Sequence, residues 1–246
     1  MSTKLPWKEW ISAYAKRLCL LTFDEAHVVP QWGKDFRHVY LEVGMLRSVL
    51  RGNACTLALT ATLNLELKEK LLDVLHLEDS ETVCVVRNPD RPNITLQIWP
   101  RRESQRGKVP LPLQQYVEHF KEKTLSGHFN EIEKSILYCR ELNDVGRFFV
   151  LLRKLLGAAA VDAEDPDDRT ICVYYAGIDL PSERLALARF AEGKAKLMIT
   201  TVAFGLGINI PDVRRVHHYG APATVLEYWQ EIGRFPIAYS GAYPRL

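Results

Sequence analysis

Short apolar runs alternate along the chain with longer stretches whose apolar residues recur every three or four positions. LCLLTF (18–23), CTLALT (55–60) and ETVCVV (81–86) have the length and aliphatic content of buried strands. Between them, FRHVYLEVGMLRSVL (36–50) and LNLELKEKLLDVL (63–75) carry the helical period. RNPDRPN (87–93), with two prolines and an Asn-Pro step, predicts a break between domains. The alternation then restarts. ITLQIW (94–99), SILYC (135–139), TICVYY (170–175), KLMITT (196–201) and VRRVHHY (213–219) predict strands, with helices over about 111–125, 142–156, 182–191 and 223–232. The acidic, Pro-containing AVDAEDPDDR (160–169) reads as a solvated loop. This order predicts an α/β protein of two consecutive lobes, 1–88 and 89–246, with mainly parallel sheets covered on both faces.

Ligands of open parallel sheets collect beyond the carboxyl ends of the strands, so the residues that close each run carry the candidate chemistry. Asp24 and Glu25 close the first. Two adjacent carboxylates repel, and Mg²⁺ with a nucleotide phosphate would neutralise them. Asp24 would hold the metal, directly or through water, while Glu25 orients or deprotonates an attacking water. The competing reading is that the pair caps the turn that follows. Trp32 and Phe36 then stand with Arg37 in a polar stretch. Exposed aromatics cost solubility unless they meet something flat, and unstacked bases of single-stranded DNA are such partners. Phe36 could instead open the next helix and face the core. Thr60 and Thr62 flank Ala61 at another strand end, where a Thr often bonds its own backbone. Gly205 and Gly207 bracket a Leu after a strand, a place for close backbone approach. Arg234 closes a helical pattern, suited to a phosphate or merely to the helix dipole. His217 and His218 have no metal-ligand spacing with any Cys and read as structural.

Composition changes this picture little. A chain of 246 residues with a formal charge of +2 has room for a large core, and any basic surface must be local. The five Cys form no CxxC pair and four lie in strand-like runs, which favours reduced core thiols over disulfides or zinc. No apolar stretch reaches membrane-spanning length, and no apolar signal-peptide core opens the chain. A soluble, intracellular protein with no membrane partner is expected.

The string DEAH (24–27) after an apolar strand resembles the metal-binding motif of superfamily 2 helicases, and HVVPQWGKDFR (27–37) is similar to the aromatic-rich loop of RecQ-type DNA helicases. LALTAT (57–62) resembles the motif linking nucleotide state to DNA grip, RPNI (91–94) the lobe junction, and SILYC (135–139) the first strand motif of the second lobe. YYAGI (174–178) stands where the family has Tyr-His-Ala-Gly, while TTVAFGLGINIPDVRRVHHY (200–219) and QEIGR (230–234) resemble its last two motifs. The resemblance implies two RecA-like lobes that use ATP and Mg²⁺ to separate DNA strands 3′→5′, in repair or recombination and, in a eukaryote, in the nucleus. It implies catalytic roles for Asp24, Glu25, His27, Gln230 and Arg234, with Mg²⁺ on Asp24. It implies coupling roles for Thr60, Ala61, Thr62, Gly205, Gly207 and Asn209, and contact with single-stranded or forked DNA by Trp32, Phe36 and Arg37.

The sequence also departs from the family. Pro30 and Lys34 replace its usual Ser and His, and Ile237 stands where a second Arg is expected. No GxxxxGK[ST] phosphate loop occurs in the 246 residues; Gly-Lys at 33, 107 and 193 is followed by Asp, Val and Ala. The expectation is a first lobe incomplete at its N-terminus and a second altered at its C-terminus. The chain would then be a fragment, splice form or mispredicted product with little ATPase activity of its own. Its partners would be DNA, the missing helicase segment or other repair proteins. The alternatives are a non-catalytic nucleic-acid-binding or interaction protein derived from a helicase, and a DEAH-type RNA helicase, which QWGKDFR disfavours.

Overall fold

A computed structural model describes residues 13–27, 54–88, 90–98, 110–160, 170–205, 210 and 212–233. The chain divides into two compact units, Met1–Asp90 and Arg91–Leu246.

In the first unit β1 (Leu20–Phe23) pairs in parallel with β2 (Cys55–Ala58), Leu20 opposite Cys55 and Phe23 opposite Ala58. Helix α1 (Leu65–Val74) follows, and the Asn64 side chain caps it by accepting from the Leu67 amide. Its buried Leu67 and Leu71 are four residues apart, one face of a helix, and Leu75 extends that face. The strands are less covered than their apolar sequences predict: Leu20, Leu57 and Leu59 remain exposed. A pair of short strands cannot bury both of its faces.

Two expected strands do not form among the described residues. The run 81–86 begins in a 3₁₀ turn, Asp79–Glu81, and continues as unpaired chain with Val83 89% exposed. The run 94–99 is likewise unpaired through residue 98, with Ile98 95% exposed. An extended segment becomes a strand only where a neighbour offers a matching row of hydrogen bonds, and apolar composition does not supply one. The core-thiol expectation is corrected in part. Cys19, Cys55 and Cys84 are exposed, and only Cys139 and Cys172 are buried.

The second unit is a four-stranded parallel sheet of order β4-β5-β3-β6, made of β3 (Lys134–Cys139), β4 (Ile171–Tyr174), β5 (Leu197–Thr200) and β6 (Val213–Tyr219). Every residue of β3 and β5 is buried, as expected for central parallel strands. Successive residues serve opposite faces. Leu137 and Ile199 join a core with Phe120 of α2 (Leu111–Leu125) and Phe148 and Leu152 of α3 (Leu142–Leu156). Ile136 and Met198 join another with Phe190 of α4 (Leu180–Glu192), Phe204 and Val213. Helix α4 starts on an Asp179 cap and stops at Gly193, whose φ of 78° is left-handed. The last described helix is α5 (Val225–Ile232). The expected helix 36–50, positions 28–37 of the aromatic loop and 161–169 of the expected loop 160–169 lie outside the described residues. Ala160 itself closes a 3₁₀ turn, Gly157–Ala160, and is buried rather than solvated.

Candidate functional site

The carboxyl ends of β1 and β2 are joined beyond the strands themselves. The Leu59 amide donates to the Phe23 carbonyl and the Ala26 amide to the Leu59 carbonyl, both at 2.8 Å. Between these bonds the chain turns sharply. Asp24 Oδ1 accepts from the Glu25 amide at 2.9 Å, and Glu25 adopts φ 48°, a left-handed conformation uncommon for a residue with a Cβ. The turn leaves Asp24 and Glu25 exposed and swings Ala26 and His27 inward. Asp24 therefore closes its own turn through Oδ1, as the capping reading anticipates.

His27, only 4% exposed, joins the two strand ends. Its Nδ1 lies 3.1 Å from Thr60 Oγ1 and 3.3 Å from Glu25 Oε2. Thr60 donates its hydroxyl proton to the Thr62 carbonyl at 2.9 Å and accepts from the Thr62 amide at 3.2 Å. With that proton committed, Nδ1 is the donor in the Thr60 bond, and the Glu25 carboxylate lies beside it at ion-pair distance. Burial lowers the His27 pKa, and the Glu25 charge opposes this. Ala61 is exposed, whereas the Thr62 hydroxyl is buried without a hydrogen-bond partner among the described residues.

No group of three or more His, Cys, Asp or Glu among the described residues could hold a metal by itself. Two adjacent exposed carboxylates still suit Mg²⁺, which binds through one or two carboxylates while keeping waters and phosphate oxygens. The hard oxygens of Asp24 and Glu25 fit that pattern.

In the second unit, Gly205 ends a 3₁₀ turn, Val202–Gly205, and Gln230 lies on α5, half-buried. Thr224 Oγ1 caps α5 by accepting from the Glu227 amide at 3.1 Å, and Glu227 Oε2 accepts from the Ala223 amide at 2.9 Å. Near its other end, Glu231 bonds His218 of β6 at 2.7 Å. Trp32, Phe36, Arg37, Gly207, Asn209 and Arg234 lie outside the described residues. The structure thus gathers Asp24, Glu25, His27, Thr60, Ala61 and Thr62 around one strand edge of the first unit.

Residues 117–235 match the family of the helicase conserved C-terminal domain. The bifunctional 3′-5′ exonuclease/ATP-dependent helicase WRN of Mus musculus is 31% identical over 217 residues, 88% of this chain and 14% of the relative. The ATP-dependent DNA helicase RecQ of Haemophilus influenzae is 31% identical over 224 residues, 90% of this chain and 31% of the relative. The chain is RecQ-like. Residues 117–235 carry a helicase conserved C-terminal domain, on a RecA-like α/β fold. A structure of the DEAD-box helicase Mss116 bound to ssRNA and UDP-BeF is similar in fold, with TM-score 0.65 and 17% identity, covering 92% of this chain and 43% of that one. This RecQ-like chain spans between 14% and 34% of the length of the curated relatives it matches first.

Sequence reasoning on the RecQ-like chain missed the His218–Glu231 contact. The residues are thirteen apart, and only the packing of α5 on β6 brings them together. A doubled His in a strand offered no signal for it.

Proposed function

We propose that this chain belongs to an ATP-dependent, 3′→5′ DNA helicase of RecQ type, acting on single-stranded or forked DNA in repair or recombination. The observation that carries the reading is His27, buried, hydrogen-bonded to Thr60 and 3.3 Å from the Glu25 carboxylate at the carboxyl edge of a parallel sheet. A turn that only ended a strand would need no such link. Bound Mg²⁺ would neutralise charge on a transferring phosphate, and Asp24 is the residue that would hold it, directly or through water. Glu25 takes a proton from, or orients, the attacking water. Through His27, a change at the Glu25 carboxylate pulls on Thr60 and on the strand end carrying Ala61 and Thr62. Gly205, Gly207 and Asn209 serve the same coupling in the second unit, where Gln230 and Arg234 attend to the nucleotide as in the family's last motif. Trp32 and Phe36 stack on bases and Arg37 meets a phosphate.

The test is ATP hydrolysis by the purified chain with and without single-stranded DNA. Little turnover is expected, because the 246 residues contain no GxxxxGK[ST] cradle. Whatever turnover exists should fall about a hundredfold or more in Glu25→Gln; turnover indifferent to that substitution overturns the reading. A second reading is a non-catalytic nucleic-acid-binding or interaction protein derived from a helicase. DNA binding that persists unchanged with and without ATP would support it. Affinities for single-stranded DNA and RNA at one salt concentration separate the DNA reading from an RNA helicase.

A further inference from the structure

The cleft beside α5 contains a charged contact that the helicase reading does not use. Glu231 Oε2 lies 2.7 Å from His218 Nε2, with the two side chains 6% and 15% exposed. A carboxylate accepts, so Nε2 carries the donated proton. The His218 ring is held on two sides. Tyr138, its register partner across β3 and β6, stacks on it at 5.5 Å and 13°, and Tyr228 leans against it at 5.2 Å. Tyr228 and Glu231 are three residues apart on α5, so one face of the helix grips the ring through an aromatic contact and a hydrogen bond together.

A purely apolar contact would let α5 slip or turn with little penalty. A buried carboxylate does not, because losing the His218 donor leaves a desolvated charge. Turning the helix by one residue, about 100°, would bring Gln230 or Ile232 to the ring in place of Glu231. The contact also walls a cleft of about 240 Å³ together with Arg140, Glu227 and Val202, the first residue of the turn that ends at Gly205. One side-chain pair therefore joins 200–219 to 230–234, the segments that resemble the last two helicase motifs.

We infer that His218 and Glu231 are positioning residues, a polar index that sets the rotation of α5 and with it the placement of Gln230. The consequence for turnover rests on the helicase reading; the consequence for the helix does not.

Amide exchange across 224–233 in the full chain tests it, read beside the thermal midpoint and ATP turnover. Glu231→Ala should speed exchange in that segment about tenfold or more while β3 and β5 keep their protection. Glu231→Gln, whose amide oxygen can still accept from His218, should restore protection to within about threefold of the parent. In turnover, Glu231→Ala should lower kcat with little change in KM. A His218→Phe/Glu231→Leu double variant should recover the thermal midpoint but not kcat. Unchanged exchange in Glu231→Ala, no rescue by Glu231→Gln, or full recovery of kcat in the double variant overturns the proposal. If turnover proves indifferent to Glu25→Gln, the helicase reading fails by its own test, and the exchange contrast still decides the role of the pair. It decides it equally if the parent chain hydrolyses too little ATP to measure kcat.

Discussion

His217 and His218 are adjacent in β6, and the pleat sends them to opposite faces with different surroundings. His218 meets Glu231. His217 is enclosed near the Tyr116 ring, 5.8 Å away, with its Nε2 buried and without a hydrogen-bond partner among the described residues. Burial, with Arg215 and His218 adding to it, lowers the His217 pKa to about 4. The folded protein therefore keeps this ring neutral where the unfolded chain would protonate it. Its contribution to stability is whole above about pH 6.5 and is lost as pH falls from there through about 4, by roughly 3 kcal/mol in all. Denaturant midpoints measured across that range should fall more steeply for the parent than for His217→Phe; parallel curves would show that the ring is not the source. Two identical letters in the sequence could reveal that the faces differ, but not which face would be dry.

At the scale of elements, local chemistry predicted helices better than strands. The helical period placed α2 at 111–125 and α3 at 142–156, where the structure has them, because a helix satisfies its backbone within itself. The runs 81–86 and 94–98 carried as much strand character as β1 and remain unpaired, because a strand is completed by residues far away. Helix ends were also local matters. Asn64 and Thr224 each accept from an amide three residues on. Replacing either by Ala should cost about 1 kcal/mol. Thermal melting checks this, and exchange measurements should show the loss concentrated in the first turn of α1 or α5. Ser at either position should restore most of it.

Over the whole molecule, the second unit draws its stability from a sheet covered on both faces. Phe148, fully buried between α3 and the sheet, packs edge-on to Tyr219 at 4.6 Å. Phe148→Ala should destabilise this unit by about 3–5 kcal/mol, seen as an earlier denaturant midpoint, whereas Val150→Ala on the exposed side of α3 should change it little. The order of apolar and polar positions determined by itself that the chain is α/β with parallel sheets, and it marked Asp24, Glu25, Thr60 and Thr62 as strand-end residues. Both follow from short-range rules, the period of burial and the place where a strand stops. Only the tertiary structure decided that His27 would turn inward to join Glu25 and Thr60. It alone left Val83 and Ile98 exposed, and it alone paired His218 with Glu231. Each of these depends on a partner distant in sequence, and pairwise hydrogen bonding and desolvation are settled only once the elements have packed.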